Sequence, residues 1–185
     1  MPRRGLDRER VVRAAAALAD ADGIEAVTLA RIAAELGVRS PSLYNHVDGL
    51  EGVRRGVALL ALGELGAAMR EAATGRAGDD ALVAIAEAYR AYARAHPGRY
   101  PLTQYLPRPA DPEIDAAAAA VVQVVLDALR AFDLADDDAI HAARAFRAAV
   151  HGFVSLEAGG GFGLPVDIDE SFHRLIAALA AGLKM

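Results

Sequence analysis

The stretch from Thr28 to Val47 leaves this chain the fewest choices. Leu29, Ile32, Ala33 and Leu36 recur at i, i+3, i+4 and i+7, the period of a helix with one buried face. Thr28 stands in front of them with a capping hydroxyl. Gly37 follows where a helix end calls for left-handed backbone, and Val38 supplies the apolar plug of the turn. Ser40-Pro41 then opens a third helix, with Ser40 as the expected N-cap and Pro41 in the first helical position. Leu43 and Val47 point inward from it, Ser42, Tyr44, Asn45 and His46 point outward, and Asp48-Gly49 ends it. Two short helices joined by a tight turn meet at a steep angle, so the second can project from the surface while the first packs behind it.

The rest of the 185-residue chain reads mainly as helix. A first helix is expected from the N-cap Asp7 to about Asp22, with Val11, Ala15, Leu18 and Ala19 on its inner stripe and Gly23 ending it. A long fourth helix is expected from about Leu50 to Ala72, and a fifth from Asp79 to His96, stopped by Pro97-Gly98. Residues 99–112 read as loops with one short helix. Between Glu113 and Phe132 the apolar residues Ile114, Val121, Val122, Val124, Val125, Leu126 and Leu129 go nearly all round, which predicts burial on several sides. Another helix is expected from Asp136 to Glu157. A flexible connector of Gly159, Gly160, Gly161 and Gly163 follows it. The last helix carries Phe172, Leu175, Ile176, Leu179 and Leu183 along one face. Aromatic residues are only 5% of the chain against 54% hydrophobic, so Ala, Leu, Val and Ile must build the core, and Ala is the best helix former. The predicted fold class is all-α. A head of residues 1–50 with a helix-turn-helix precedes a helical body of residues 51–185.

The outward face of the third helix carries small or hydrogen-bonding side chains and not a lattice of salt bridges. Pro41 offers an apolar contact for a thymine methyl. Ser40, Ser42, Asn45 and His46 suit base edges or phosphates, Arg39 suits either, and the Tyr44 hydroxyl suits a phosphate. Arg3, Arg4 and Thr28 complete the set of candidate DNA contacts. A net charge of −5 argues against a nucleic-acid binder, but its distribution matters more than its sum. Between Met1 and Arg13 five arginines face two acids, whereas Asp136, Asp137 and Asp138 lie in the body. The competing reading of the segment is an ordinary helical hairpin in a core, which would make the chain an all-helical dimeric ligand-binding or interaction module with no DNA role.

The run Val27-Thr28-Leu29, Ile32-Ala33, Leu36-Gly37-Val38 and Pro41-Ser42-Leu43-Tyr44-Asn45-His46-Val47 resembles the DNA-binding domain of the TetR family of bacterial regulators, across about Asp7 to Val57. Phe146-Arg147 and His151-Gly152-Phe153 resemble a C-terminal subgroup with a Trp-His-Gly signature, with Val150 where that subgroup has Trp. The resemblance implies a homodimer whose third helices read two half-sites of a palindromic double-stranded DNA operator. It also implies a body that binds a small-molecule inducer and alters the spacing of the heads. Asp48 and Leu50 depart from the family, which commonly has Lys thereabouts to grip phosphate.

The body's candidate ligand contacts are Tyr89, Tyr92, Gln104, Tyr105, Arg147 and His151, polar groups scattered among apolar helices. The Pro- and Tyr-rich stretch from His96 to Pro109 is the expected lid. His151 also reads as a core histidine with one hydrogen-bond partner. With no cysteine and no i, i+4 histidine pair, no metal site is expected. No cofactor is expected either: the glycine run lacks the Lys-Ser/Thr of a phosphate loop, and no catalytic constellation is visible. No apolar stretch approaches ~18 uncharged residues and no signal segment follows Arg3 and Arg4, so no membrane partner and a cytoplasmic location are expected. These features point to a ligand-released repressor.

Overall fold

The computed structural model describes residues 5–105, 107 and 109–184. Arg3 and Arg4 lie outside the described residues. Among those described there is helix and no strand. The α-helices are α1 (Arg8–Asp22), α2 (Leu29–Leu36), α3 (Gly49–Ala73), α4 (Gly78–Ala95), α5 (Pro112–Leu129), α6 (Asp136–Ala158) and α7 (Ile168–Gly182). Short 3-10 helices occupy Ile24–Ala26, Ser40–Asn45, Tyr100–Gln104 and Arg130–Phe132. No helix among the described residues is long and apolar enough to cross a membrane.

The local signals that set these boundaries are visible as bonds. Asp7 accepts from the Arg10 amide at 2.8 Å, Thr28 from the Arg31 amide at 3.2 Å, and Asp167 from the Asp169 amide at 2.8 Å. Each satisfies an N–H that a helix start would otherwise leave without a partner. Gly37 adopts φ 65° and ψ 34°, and the Val38 amide donates to the Ala33 carbonyl at 2.9 Å, closing α2 as a left-handed cap.

Two compact units divide the chain. The first comprises Met1–Gly63 and His96–Ala117. Its core holds Val11, Ala15 and Ala19 of α1, Ile32 of α2, and Val53 and Val57 of α3, each fully buried. A Cβ on Gly56 would fall 2.4 Å from Val12 Cγ2, so α1 and α3 cross closely at that glycine. Three polar ties join α1 and α3 to segment 96–117 of the same unit. Asp20 accepts from the Arg99 amide at 2.9 Å and its Nε at 2.8 Å, and meets His96 Nδ1 at 3.1 Å. Arg55 pairs with Asp111 and Glu113, and the Tyr105 hydroxyl donates to Glu51.

The second unit comprises Glu64–Ala95 and Ala118–Met185. Leu82, Ile85 and Tyr89 of α4 are buried there, as are Phe146, Val150 and Phe153 of α6 and Phe172 and Ile176 of α7. Arg90 lies among them with its guanidinium 5.3 Å from the Phe153 ring centre and 4.7 Å from that of Phe172.

Two expectations change in detail. Ser40–Asn45 is a 3-10 helix whose cap position is Arg39, without a side-chain cap bond, so Ser40 is its first residue and not its N-cap. The segment is too short for a run of α bonds, and the Ser42 and His46 amides reach back three residues instead. In α5 Val124, Val125 and Leu129 are buried, but Val121, Val122 and Leu126 are half-buried and Ala116, Ala119 and Ala120 exposed. Its apolar surround is mostly alanine, which loses little by facing water. On α7, Phe172 and Ile176 are buried in the unit's own core, and Leu175 and Leu179 are half-buried.

Candidate nucleic-acid interface

The third helical segment is held by two anchors. Leu43 is 0% exposed and Val47 nearly so, and both pack into the head. With these fixed, helical geometry turns the intervening residues out: Tyr44 is 62% exposed, and Arg39, Pro41 and Asn45 are exposed. Ser40, Ser42 and His46 are half-buried at the edges of this face. Thr28 is exposed at the start of α2, with its hydroxyl accepting from Arg31. One short surface therefore carries a guanidinium, a phenol, a carboxamide, an imidazole and hydroxyls on a buried support. That chemistry suits a ladder of phosphates and base edges.

The charges around it are mixed. Asp48 is exposed beside the face, whereas Glu51, one turn on, is engaged by Tyr105. That bond pushes the Tyr105 hydroxyl up to about 12, with burial adding to the effect. Arg31 pairs with Asp22 and donates to the Ala26 carbonyl at 3.2 Å, and Arg54 approaches Glu25 at 3.7 Å. The sequence reading did not single out Arg31, although its place three residues after the cap Thr28 was the available signal. The ties of Asp20, Glu51 and Arg55 join residues 54 to 79 positions apart, a separation no local pattern reveals.

The ligand candidates fall in both units. Tyr89 and Tyr92 are buried on α4, and the Tyr92 hydroxyl donates to Glu64 at 3.1 Å. Arg147 is exposed on α6, and His151, one turn further, is half-buried. Gln104 donates to the Thr103 hydroxyl at 3.0 Å in the first unit, where Tyr105 also lies. Among the described residues no three His, Asp or Glu side chains are grouped to hold a metal ion.

Burial lowers the His151 pKa, and the positive Arg147 lowers it further. A histidine depressed in the folded state stabilises the fold while neutral, so its contribution is full above the ordinary value of about 6.5 and is lost as the pH falls below it. His151→Gln should therefore make thermal stability fall less steeply from pH 7 to pH 5 than in the parent protein. Equal slopes would contradict this placement.

Comparison with known proteins agrees with this geometry. Residues 11–48 match the pattern described as "Bacterial regulatory proteins, tetR family", and residues 82–179 match "Tetracyclin repressor-like, C-terminal domain". An uncharacterized HTH-type transcriptional regulator of Mycobacterium tuberculosis, Rv0681, is 38% identical over 180 residues, 97% of this chain and 82% of that protein. The uncharacterized HTH-type transcriptional regulator YobS of Bacillus subtilis is 36% identical over 183 residues, 98% of this chain and 95% of that one. A solved structure of a protein of unknown function from Rhodococcus sp. RHA1 superposes with TM-score 0.82 at 26% identity, covering 100% of both chains. A helix-turn-helix head with an anchored, outward-facing third segment, on a helical body that matches along most of its length, makes this chain a member of the TetR family of bacterial transcriptional regulators.

Proposed function

We propose that the chain acts as a homodimeric repressor that reads a pseudo-palindromic operator and releases it when a small apolar inducer binds. The observation that carries this reading is the anchoring of Leu43 and Val47, which leaves Arg39, Pro41, Tyr44 and Asn45 exposed on one short helical segment. Arg39, Ser40, Pro41, Ser42 and Asn45 face base edges in this account, while Tyr44, His46, Thr28, Arg3 and Arg4 serve phosphates. Residues 1–50 read DNA, and residues 51–185 receive the ligand and the partner. The working place of such a regulator is the cytoplasm.

The experiment is a titration of labelled duplexes with two variants. Tyr44→Phe should weaken binding to every sequence alike by about 1 kcal/mol, the value of one hydrogen bond. Asn45→Ala should cost about 1–3 kcal/mol on the preferred duplex and much less on others, flattening sequence preference. Variants that bind each duplex as the parent does would refute the assignment.

The dimer reading rests on where apolar side chains remain uncovered. Ile140, Leu156, Leu164 and Val166 are exposed, all on α6 or on the connection to α7. A second copy covering α6 and α7 as a four-helix bundle would bury such a surface. In the body, Tyr89, Tyr92, Arg147 and His151 supply the polar groups for an otherwise apolar inducer.

A further inference from the structure

The second unit carries a cavity of its own at the end of α3. There the C-terminal turns of α3, the start of α4 and the C-terminal half of α5 line an open cavity of about 320 Å³. That lies at the lower end of the range for small-molecule sites, roughly 300–1,000 Å³. Its floor is apolar, formed by Ala81, Val124 and Ala128, each buried. Arg70, Arg76, Gln123 and Asp127 form its rim.

The rim charges are unequal in their commitments. Asp127 accepts from Gln123 Nε2 at 2.9 Å and pairs with Arg130 at 3.2 Å. Arg76 donates to the Ala72 carbonyl. The Arg70 guanidinium has no hydrogen-bond or ion-pair partner among the described residues. It lies back over Gly66, where a Cβ would come 3.8 Å from its Nη2 and 3.4 Å from Val121. The glycine thus leaves room for the arginine to cross the mouth of the cavity.

We propose that this cavity binds a small monocarboxylate with a short apolar body, its carboxylate on Arg70 and its body over Ala81, Val124 and Ala128. A guanidinium fork matches a carboxylate with two parallel hydrogen bonds. Arg70 offers a guanidinium fork with no protein partner among the described residues, which one carboxylate fills, and Asp127 on the same rim repels the nearly two charges of a phosphate. The site is separate from the residues assigned to the inducer, and its occupancy is read on the protein without DNA. Failure here therefore leaves the operator reading standing, and the reverse holds too.

The test is calorimetric titration of the full chain with octanoate, with Arg70→Gln, Ala120→Phe and Arg144→Gln beside the parent. Ala120 lines the cavity from an exposed position, and Arg144 is an exposed arginine on α6 away from it. The expected result is saturable binding, weakened about tenfold by Arg70→Gln, lost in Ala120→Phe and unchanged in Arg144→Gln. Circular dichroism of each variant checks that the helices remain. No saturable binding to the parent, or binding that survives either Arg70→Gln or Ala120→Phe in a folded variant, overturns the proposal. Inorganic phosphate binding more tightly than octanoate overturns the ligand class.

Discussion

Gly98→Ala should destabilise the first unit by about 3 kcal/mol, the upper end for overpacking. A Cβ built there falls 1.7 Å from the Ala19 carbonyl oxygen, 2.1 Å from its carbon and 2.6 Å from the Asp20 nitrogen. All three are backbone atoms in the last turn of α1, so no side-chain rotation relieves the overlap. Either the turn after α4 withdraws or the end of α1 moves. Both outcomes pull Asp20 from His96 and Arg99, the tie that holds α1 to segment 96–117. Urea unfolding followed by helical signal measures the loss. Gly63→Ala is the matched control, because it is an exposed helical position with nothing within 4 Å of an added Cβ. It should gain roughly 0.5–1 kcal/mol from helix propensity. A Gly98→Ala protein within about 0.5 kcal/mol of the parent, the range of an inert surface change, would contradict the close approach.

Arg90→Ala should cost the second unit about 3 kcal/mol, the lower end for removing one partner of a buried ion pair. The Arg90 side chain is 7% exposed and holds Glu157 with two bonds of 2.9 and 2.6 Å and Asp169 at 2.8 Å. It also lies over the Phe153 and Phe172 rings, which pack edge-on against each other with centres 5.0 Å apart, so alanine leaves a void as well as a buried carboxylate. Arg94 keeps its contacts with both acids at 2.7 and 3.1 Å, which holds the loss to that lower end. Arg90→Lys should not rescue fully, since an ammonium cannot make the fork or lay a planar group over the two rings. Arg94→Ala should cost under about 1 kcal/mol, because that side chain is half in solvent. Thermal unfolding of the three variants orders them, and an Arg94→Ala loss as large as that of Arg90→Ala would contradict the assignment.

The same cluster gives the fold an acid limit. Arg90, followed by Arg94, holds the Glu157 carboxyl below its usual range, and Arg90 does the same for Asp169. Arg55 and the amides of Ile114 and Glu113 lower Asp111. A carboxyl lowered in the folded state adds stability above its unfolded pKa, and that stability is lost as the pH falls through the folded value. Unfolding temperature should therefore drop below about pH 4, where ordinary carboxylates begin to protonate. Arg90→Ala should flatten part of that drop.

The head was legible because its signals are local. Thr28 caps the helix that begins beside it, Gly37 closes the same helix nine residues on, and Leu43 and Val47 repeat within one short segment. Exposure of Tyr44 and Asn45 follows from those anchors. The body's helices were legible too, from periodicity and from Pro97-Gly98 and the glycines after Ala158. What the sequence hid was partnership between distant residues. Tyr105 read as a ligand contact because a phenol near proline-rich loops suits one, and only the fold shows its hydroxyl on Glu51, 54 positions away. Arg90 drew no attention, since an arginine in an alanine-rich helix looks solvated until Glu157 and Asp169 are placed beside it. The α7 stripe of Phe172 and Ile176 looked the same whether its partner lay in this chain or in another. Periodicity reports that a face is buried and says nothing of what buries it.

The most direct test of the account is selection of bound duplexes from a random library by the full chain at low salt. Enrichment of one two-fold related sequence, recovered in altered form by Asn45→Ala, is the predicted result. Recovery of no enriched sequence, or of a single site unchanged by Asn45→Ala, would contradict the claim that the Ser40–Asn45 helix reads DNA as a pair.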